Sequence, residues 1–192
     1  KSTVCTSPDQ IAMAPGYLQR EWSDHDAAGA DRRCFRYEMD APILGFWSYL
    51  SADWAVKKDR WHDVAIEVYY DRKHPYYVDR MIESSKKSLD YFTTHFGPYQ
   101  HRQFRILEFP GYASFAQSFP NTIPYSEAIG FIADVDAEDA VDYVFYVTAH
   151  ELAHQWWAHQ VIGANAQGAT LMSETMAQYS ALMVMEREYG AN

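Results

Sequence analysis

The chain has 192 residues, 48% of them hydrophobic and 16% aromatic, and a formal net charge of −10. That much apolar material excludes wholesale disorder, and the acidic balance excludes a nucleic-acid partner, which needs a basic stripe. The same charge is compatible with attracting cationic ligands such as a peptide amino terminus.

Residues 1 to about 35 read as irregular and polar, punctuated by Pro8, Pro15, Gly16 and Gly29. From Cys34 to about Tyr70 the chain reads as β. "ILGFWSYL" fits a half-buried strand, and "DVAIEVYY" alternates, with Val64, Ile66, Val68 and Tyr70 on one side. A helix follows, with Pro75 in its first turn. Val78, Met81, Ile82, Ser85, Leu89, Phe92 and Phe96 keep helical spacing, and Gly97-Pro98 ends it. "QFRILEF" reads as a strand, "FPNTIP" as part of a loop, and "EAIGFIAD" as a further strand whose acidic end can cap the next helix. That helix is predicted from about Glu138 to His159, apolar nearly all round and therefore buried. A last helix is predicted from about Leu171 to Tyr189, with Gly190 as its stop. No apolar run approaches 18 residues, so no segment reads as membrane-spanning. The opening Lys1 suggests a piece of a longer protein. Cys5 and Cys34 are compatible with one disulfide or with two unrelated buried thiols.

The chemistry concentrates in "HELAHQWW", His150 to Trp157. On a helix, Glu151 stands about 100° and His154 about 40° from His150, so all three share one sector. Two imidazoles one turn apart can reach one zinc ion, and the glutamate beside them can take a proton from an activated water. The composition yields only about 0.02 such matches by chance. Burying two histidines and a glutamate in an apolar helix without partners is costly, and a metal satisfies them together. His159, near 180° away, is read as a surface or packing residue. A catalytic zinc takes three protein ligands. Glu174, in the first turn of the next helix, is the candidate third; the plain alternative is an acid favoured by the helix dipole. Gln178, one turn further on, is placed to orient a ligand imidazole. The histidines at 25, 62, 74, 95 and 101 show no ligand spacing.

HELAH with a downstream helical glutamate resembles the gluzincin zinc peptidases, most closely the aminopeptidase N family. That family has 18 residues between the second histidine and the glutamate; here 155 to 173 intervene, which is 19. The family also carries a glutamate about two dozen residues upstream that binds the substrate's free amine. "PYSEAIGF" occupies that place, which makes Glu127 the candidate amine anchor; the alternative is an acid protecting a sheet edge. "QFRILEFPGYASFAQSFPNTIPYSEAIGFIAD" further resembles the aminopeptidase-like domains fused to bacterial ABC-transporter-type permeases.

The resemblance implies an α+β fold, with residues 1–70 the end of an all-β N-terminal domain and 71–192 a thermolysin-like catalytic domain cut short at its C-terminus. It implies one zinc ion on His150, His154 and Glu174, Glu151 as general base, and a peptide as substrate. The oxyanion-stabilising tyrosine of the family is expected beyond Asn192. The whole polypeptide is expected to be a bacterial integral membrane protein with this segment soluble, on the extracytoplasmic side. Two alternatives stay open: an endopeptidase of the same chemistry, and a non-catalytic zinc-stabilised module that docks peptides or partners for a transporter.

Overall fold

The computed structural model describes residues 1–133 and 141–190. Its contacts divide the chain into two units, Lys1–Ala55 and Val56–Asn192. The first unit holds β1 (Ser2–Thr6), β2 (Ile11–Met13), β3 (Tyr17–His25), β4 (Asp31–Glu38) and β5 (Leu50–Ala52). One antiparallel sheet has the order β1-β4-β3, and β2 pairs with β5. The expected irregular start is therefore a sheet. β1 has no buried residue and β3 is largely exposed, with Tyr17 its one buried residue, so no apolar alternation betrays them. Gly16 adopts φ +105°, and a Cβ there would stand 2.6 Å from the Glu38 carbonyl carbon, which requires glycine at the turn into β3. Cys5 and Cys34 are cross-strand partners joined by a disulfide, Cα to Cα 4.0 Å. The Tyr37 hydroxyl donates to the Ala12 carbonyl at 2.9 Å inside a small core that includes Met13 and Phe35.

Residues 43–49 do not form the expected strand; of "ILGFWSYL" only Leu50 joins a ladder. Pro42 and Gly45 interrupt the stretch, and Phe46, Trp47 and Tyr49 are exposed.

The second unit starts earlier than residue 71. β6 (Ala55–Trp61) and β7 (Val64–Tyr70) belong to its sheet, whose order continues through β8 (Gln103–Phe109) to β9 (Thr122–Ser126). Strand pairing across β7 and β8 moves the boundary to residue 55. β7, β8 and β9 run parallel, so their carboxyl ends share one edge. The connection from β7 to β8 is α1 (Val78–Phe96), which buries Val78, Met81, Ile82, Leu89 and Phe92, the face its spacing predicts. β9 lies upstream of the expected strand, in "TIPYS", because Pro124 reads as a breaker yet is tolerated at the end of the sheet order. "EAIGFIAD" instead closes as a turn, with the Gly130 N–H donating to Ser126 O and the Phe131 N–H to Glu127 O. Its final Asp134, and the predicted helix start at Glu138, lie outside the described residues.

α2 (Tyr143–Ala153) packs between α1 and α3 (Met176–Tyr189). Three small side chains of α1, Ser84, Ser85 and Ser88, are fully buried, and Ser84 Oγ donates to the Phe145 carbonyl at 2.7 Å. Asp142 caps α2 by accepting the Phe145 N–H at 2.8 Å. The same carboxylate pairs with Arg80 of α1 and accepts the Tyr189 hydroxyl of α3, so one residue fixes where α2 begins among its neighbours. No helix among the described residues is long and apolar enough to cross a membrane.

Candidate metal centre

α2 stops at Ala153, earlier than the predicted His159. Residues 154–160 form successive turns held by their own side chains. Trp156 Nε1 donates to Gly97 O, Trp157 Nε1 to Ser180 Oγ, and Gln155 Nε2 to Ser118 Oγ and Phe119 O. His154 keeps the helical hydrogen bond to His150 O, so the one-turn relation of the two histidines survives the helix end. His159 belongs to these turns: its ring donates from Nε2 to the Ser118 carbonyl at 3.1 Å. It is a packing residue, and burial pushes its pKa down.

Glu174 lies in a π-helical turn, Leu171–Thr175, that leads directly into α3. Such a turn holds one residue more than an α-helical turn. Glu174 Oε2 stands 3.4 Å from His150 Nε2 and 3.4 Å from His154 Nε2, and the two Nε2 atoms are 3.2 Å apart. Donors at about 2.0–2.2 Å from a tetrahedral zinc are separated by about 3.3–3.6 Å. The three atoms therefore stand nearly as such an ion needs them.

Second contacts support the same orientation. His154 Nδ1 lies 3.0 Å from the Trp157 carbonyl, which fixes the proton on Nδ1 and leaves Nε2 as a lone pair. The two Nε2 atoms face each other at 3.2 Å. Burial, then the neighbouring His154, lowers the His150 pKa to about 4, which keeps its imidazole neutral and able to ligate at neutral pH. Burial, and then the charge of Glu174, raises Glu151 to about 8. Glu151 is thus a nearly buried residue that holds its proton more tightly than an ordinary glutamate and lies between the two histidines in the chain. Ser118 Oγ donates to the Glu151 carbonyl at 2.7 Å and ties the loop before β9 to α2.

The other two candidates fall elsewhere. Gln178 takes its hydrogen bond from the hydroxyl of Tyr146, not from an imidazole; the Tyr146 ring lies 6.2 Å from that of His150. Glu127 joins a separate group with His74 and Glu108. Sequence reading missed that group because its members come from three separated segments with no common spacing. Its only sequence signal is positional: each lies at or just past the end of a strand.

Comparison of the chain with models of known protein families gives no match, and comparison with curated proteins gives none either.

Proposed function

We propose that the second unit is a zinc metallopeptidase domain of gluzincin type, thermolysin-like in fold, that hydrolyses peptide bonds. The observation that carries the reading is the trio of donor atoms at 3.2, 3.4 and 3.4 Å, with Glu151 between the two histidines at the end of α2. The fit extends to spacing. The one residue by which this chain exceeds the family interval is matched by the π-helical turn around Glu174.

Zinc held by His150, His154 and Glu174 supplies Lewis acidity to a substrate carbonyl and acidifies a water. The chain's own part follows from the residues. Glu151 takes a proton on its carboxylate and returns it to the leaving amine, a role suited to a carboxyl group whose affinity for protons burial has raised. His154, held through Nδ1 by Trp157, keeps its ring in one orientation throughout. The buried side of α2 excludes bulk water from behind the site.

An aminopeptidase assigns Glu127 to the substrate's amino terminus. That carboxylate already accepts the Gly111 N–H at 2.8 Å and faces His74, which favours an endopeptidase as the second reading. The Cys5–Cys34 disulfide supports the extracytoplasmic setting, as part of a membrane-embedded parent.

The test has two stages. Elemental analysis of the purified chain beside His150→Ala is expected to show one zinc fewer in the variant; equal content in both would remove the site. Turnover is then measured on aminoacyl reporters and internally quenched peptides, in the longer polypeptide that the resemblance implies. A Glu151→Gln variant with zinc bound and activity equal to wild type would sink the mechanism.

A further inference from the structure

The carboxyl ends of the three parallel strands meet at a second cluster. His74 lies in the turn after β7, Glu108 is the next-to-last residue of β8, and Glu127 directly follows β9. In parallel sheets this edge is where ligands bind. His74 Nδ1 is 2.5 Å from Glu108 Oε1 and 3.6 Å from Glu127 Oε2, and one ligand-type atom from each residue lies within 4.8 Å of the others.

Both carboxylates are held so that one oxygen is anchored and the other turned inward. Glu108 Oε2 accepts the Asp71 N–H at 2.5 Å, and Glu127 Oε1 accepts the Gly111 N–H at 2.8 Å. The inward oxygens, Glu108 Oε1 and Glu127 Oε2, are the ones that approach His74. Outer hydrogen bonds of this kind orient metal-binding carboxylates. Gly111 makes room for the arrangement, since a Cβ there would stand 3.1 Å from Glu127 Oε1.

The cluster is largely withdrawn from water. Glu108 is 4% exposed, and the side chains of His74 and Glu127 are 21% and 25% exposed. The His74 ring faces both carboxylates. Desolvation pushes Glu108 up, and the hydrogen bond from Glu108 pushes His74 up.

We propose that His74 Nδ1, Glu108 and Glu127 form a second divalent-cation site, distinct from the His150–His154–Glu174 centre. One imidazole nitrogen with two carboxylate oxygens and no sulfur suits a first-row ion such as Zn2+ or Mn2+. The His74–Glu127 separation already equals a ligand–ligand distance. The His74–Glu108 pair, now bridged by a proton, opens by roughly 0.5–1 Å to admit the ion. An ion there clips the turn that leads into α1 to the ends of β8 and β9, and it competes for Glu127 with any substrate amine.

The test uses the whole chain with the first centre disabled by His150→Ala and His154→Ala, titrated calorimetrically with Zn2+ and with Mn2+. One equivalent is expected to bind and to raise the melting temperature. Adding Glu127→Gln, which preserves the side chain's shape and its bond to Gly111, is expected to weaken binding at least tenfold. Circular dichroism of each variant without metal establishes that it is folded. The proposal is overturned if the folded His150→Ala, His154→Ala chain binds neither ion. It is equally overturned if binding persists unchanged when Glu127→Gln and His74→Ala are combined.

Discussion

Tyr146 donates its hydroxyl hydrogen to Oε1 of Gln178, bridging α2 to α3 one turn before His150 and one turn after Glu174. The bridge spans the same gap that the three donors span, so it sets the distance between the two ligand-bearing helices. Tyr146→Phe is expected to weaken zinc binding by about fivefold, the equivalent of one hydrogen bond of about 1 kcal/mol. Competition with a chromophoric chelator measures it. The metal-free melting temperature is expected to move little, because the hydroxyl sits at the edge of the core and not within it. Equal affinity for zinc would mean that the helices are spaced by packing alone.

Metal-free stability is expected to fall as pH rises from 6.5 to 8. Glu151 has a folded pKa of about 8 against an ordinary 4.5, so the folded state holds its proton longer and loses stability as that proton leaves. His150, with a folded pKa of about 4, acts with the opposite sign but only below its ordinary 6.5. His74, raised by Glu108, adds to the fall above 6.5. Glu151 alone accounts for about 2 kcal/mol over that interval. Urea unfolding of the metal-free chain at several pH values, beside Glu151→Gln, isolates this share: the variant's curve is expected to be flatter by that amount.

Asp142→Ala is expected to destabilise the second unit by about 2–3 kcal/mol. The substitution removes an N-cap, worth about 1 kcal/mol, and strips Arg80 of a partly buried partner. Denaturant unfolding checks the magnitude. Asp142→Asn, which can still cap α2, is expected to recover part of the loss.

Opening the Cys5–Cys34 bridge is expected to cost the first unit about 3–4 kcal/mol, given a sequence separation of 29. Thiol counting on the unfolded, unreduced chain is expected to find no free thiol. The double replacement by serine is expected to melt the first unit at lower temperature without changing zinc binding.

Legibility followed burial. α1 is readable because its buried positions keep helical spacing, at Met81, Leu89 and Phe92, and β8 because Phe104–Phe109 is one continuous buried run. The strands of the first unit were not, because β1 and β3 hide too little apolar surface to impose a period. β9 lies a few residues upstream of the expected strand because Pro124, which reads as a breaker, sits inside an outermost strand. His150, Glu151 and His154 were readable since one helix turn holds them. Glu174 is readable as an acid in the first turn of the next helix, but the π-helical form of that turn is not, because such a turn has no residue signature. The partners of Glu127 were not readable at all: pairing of distant strands brings His74 and Glu108 to it, and local spacing carries no trace of that.

The three donors differ in their access to water. The side chains of His150 and His154 are 14% and 7% exposed, whereas that of Glu174 is 59% exposed. In the proposed centre an ion is therefore expected to enter and leave past the Glu174 carboxylate, the one of the three side chains that faces water.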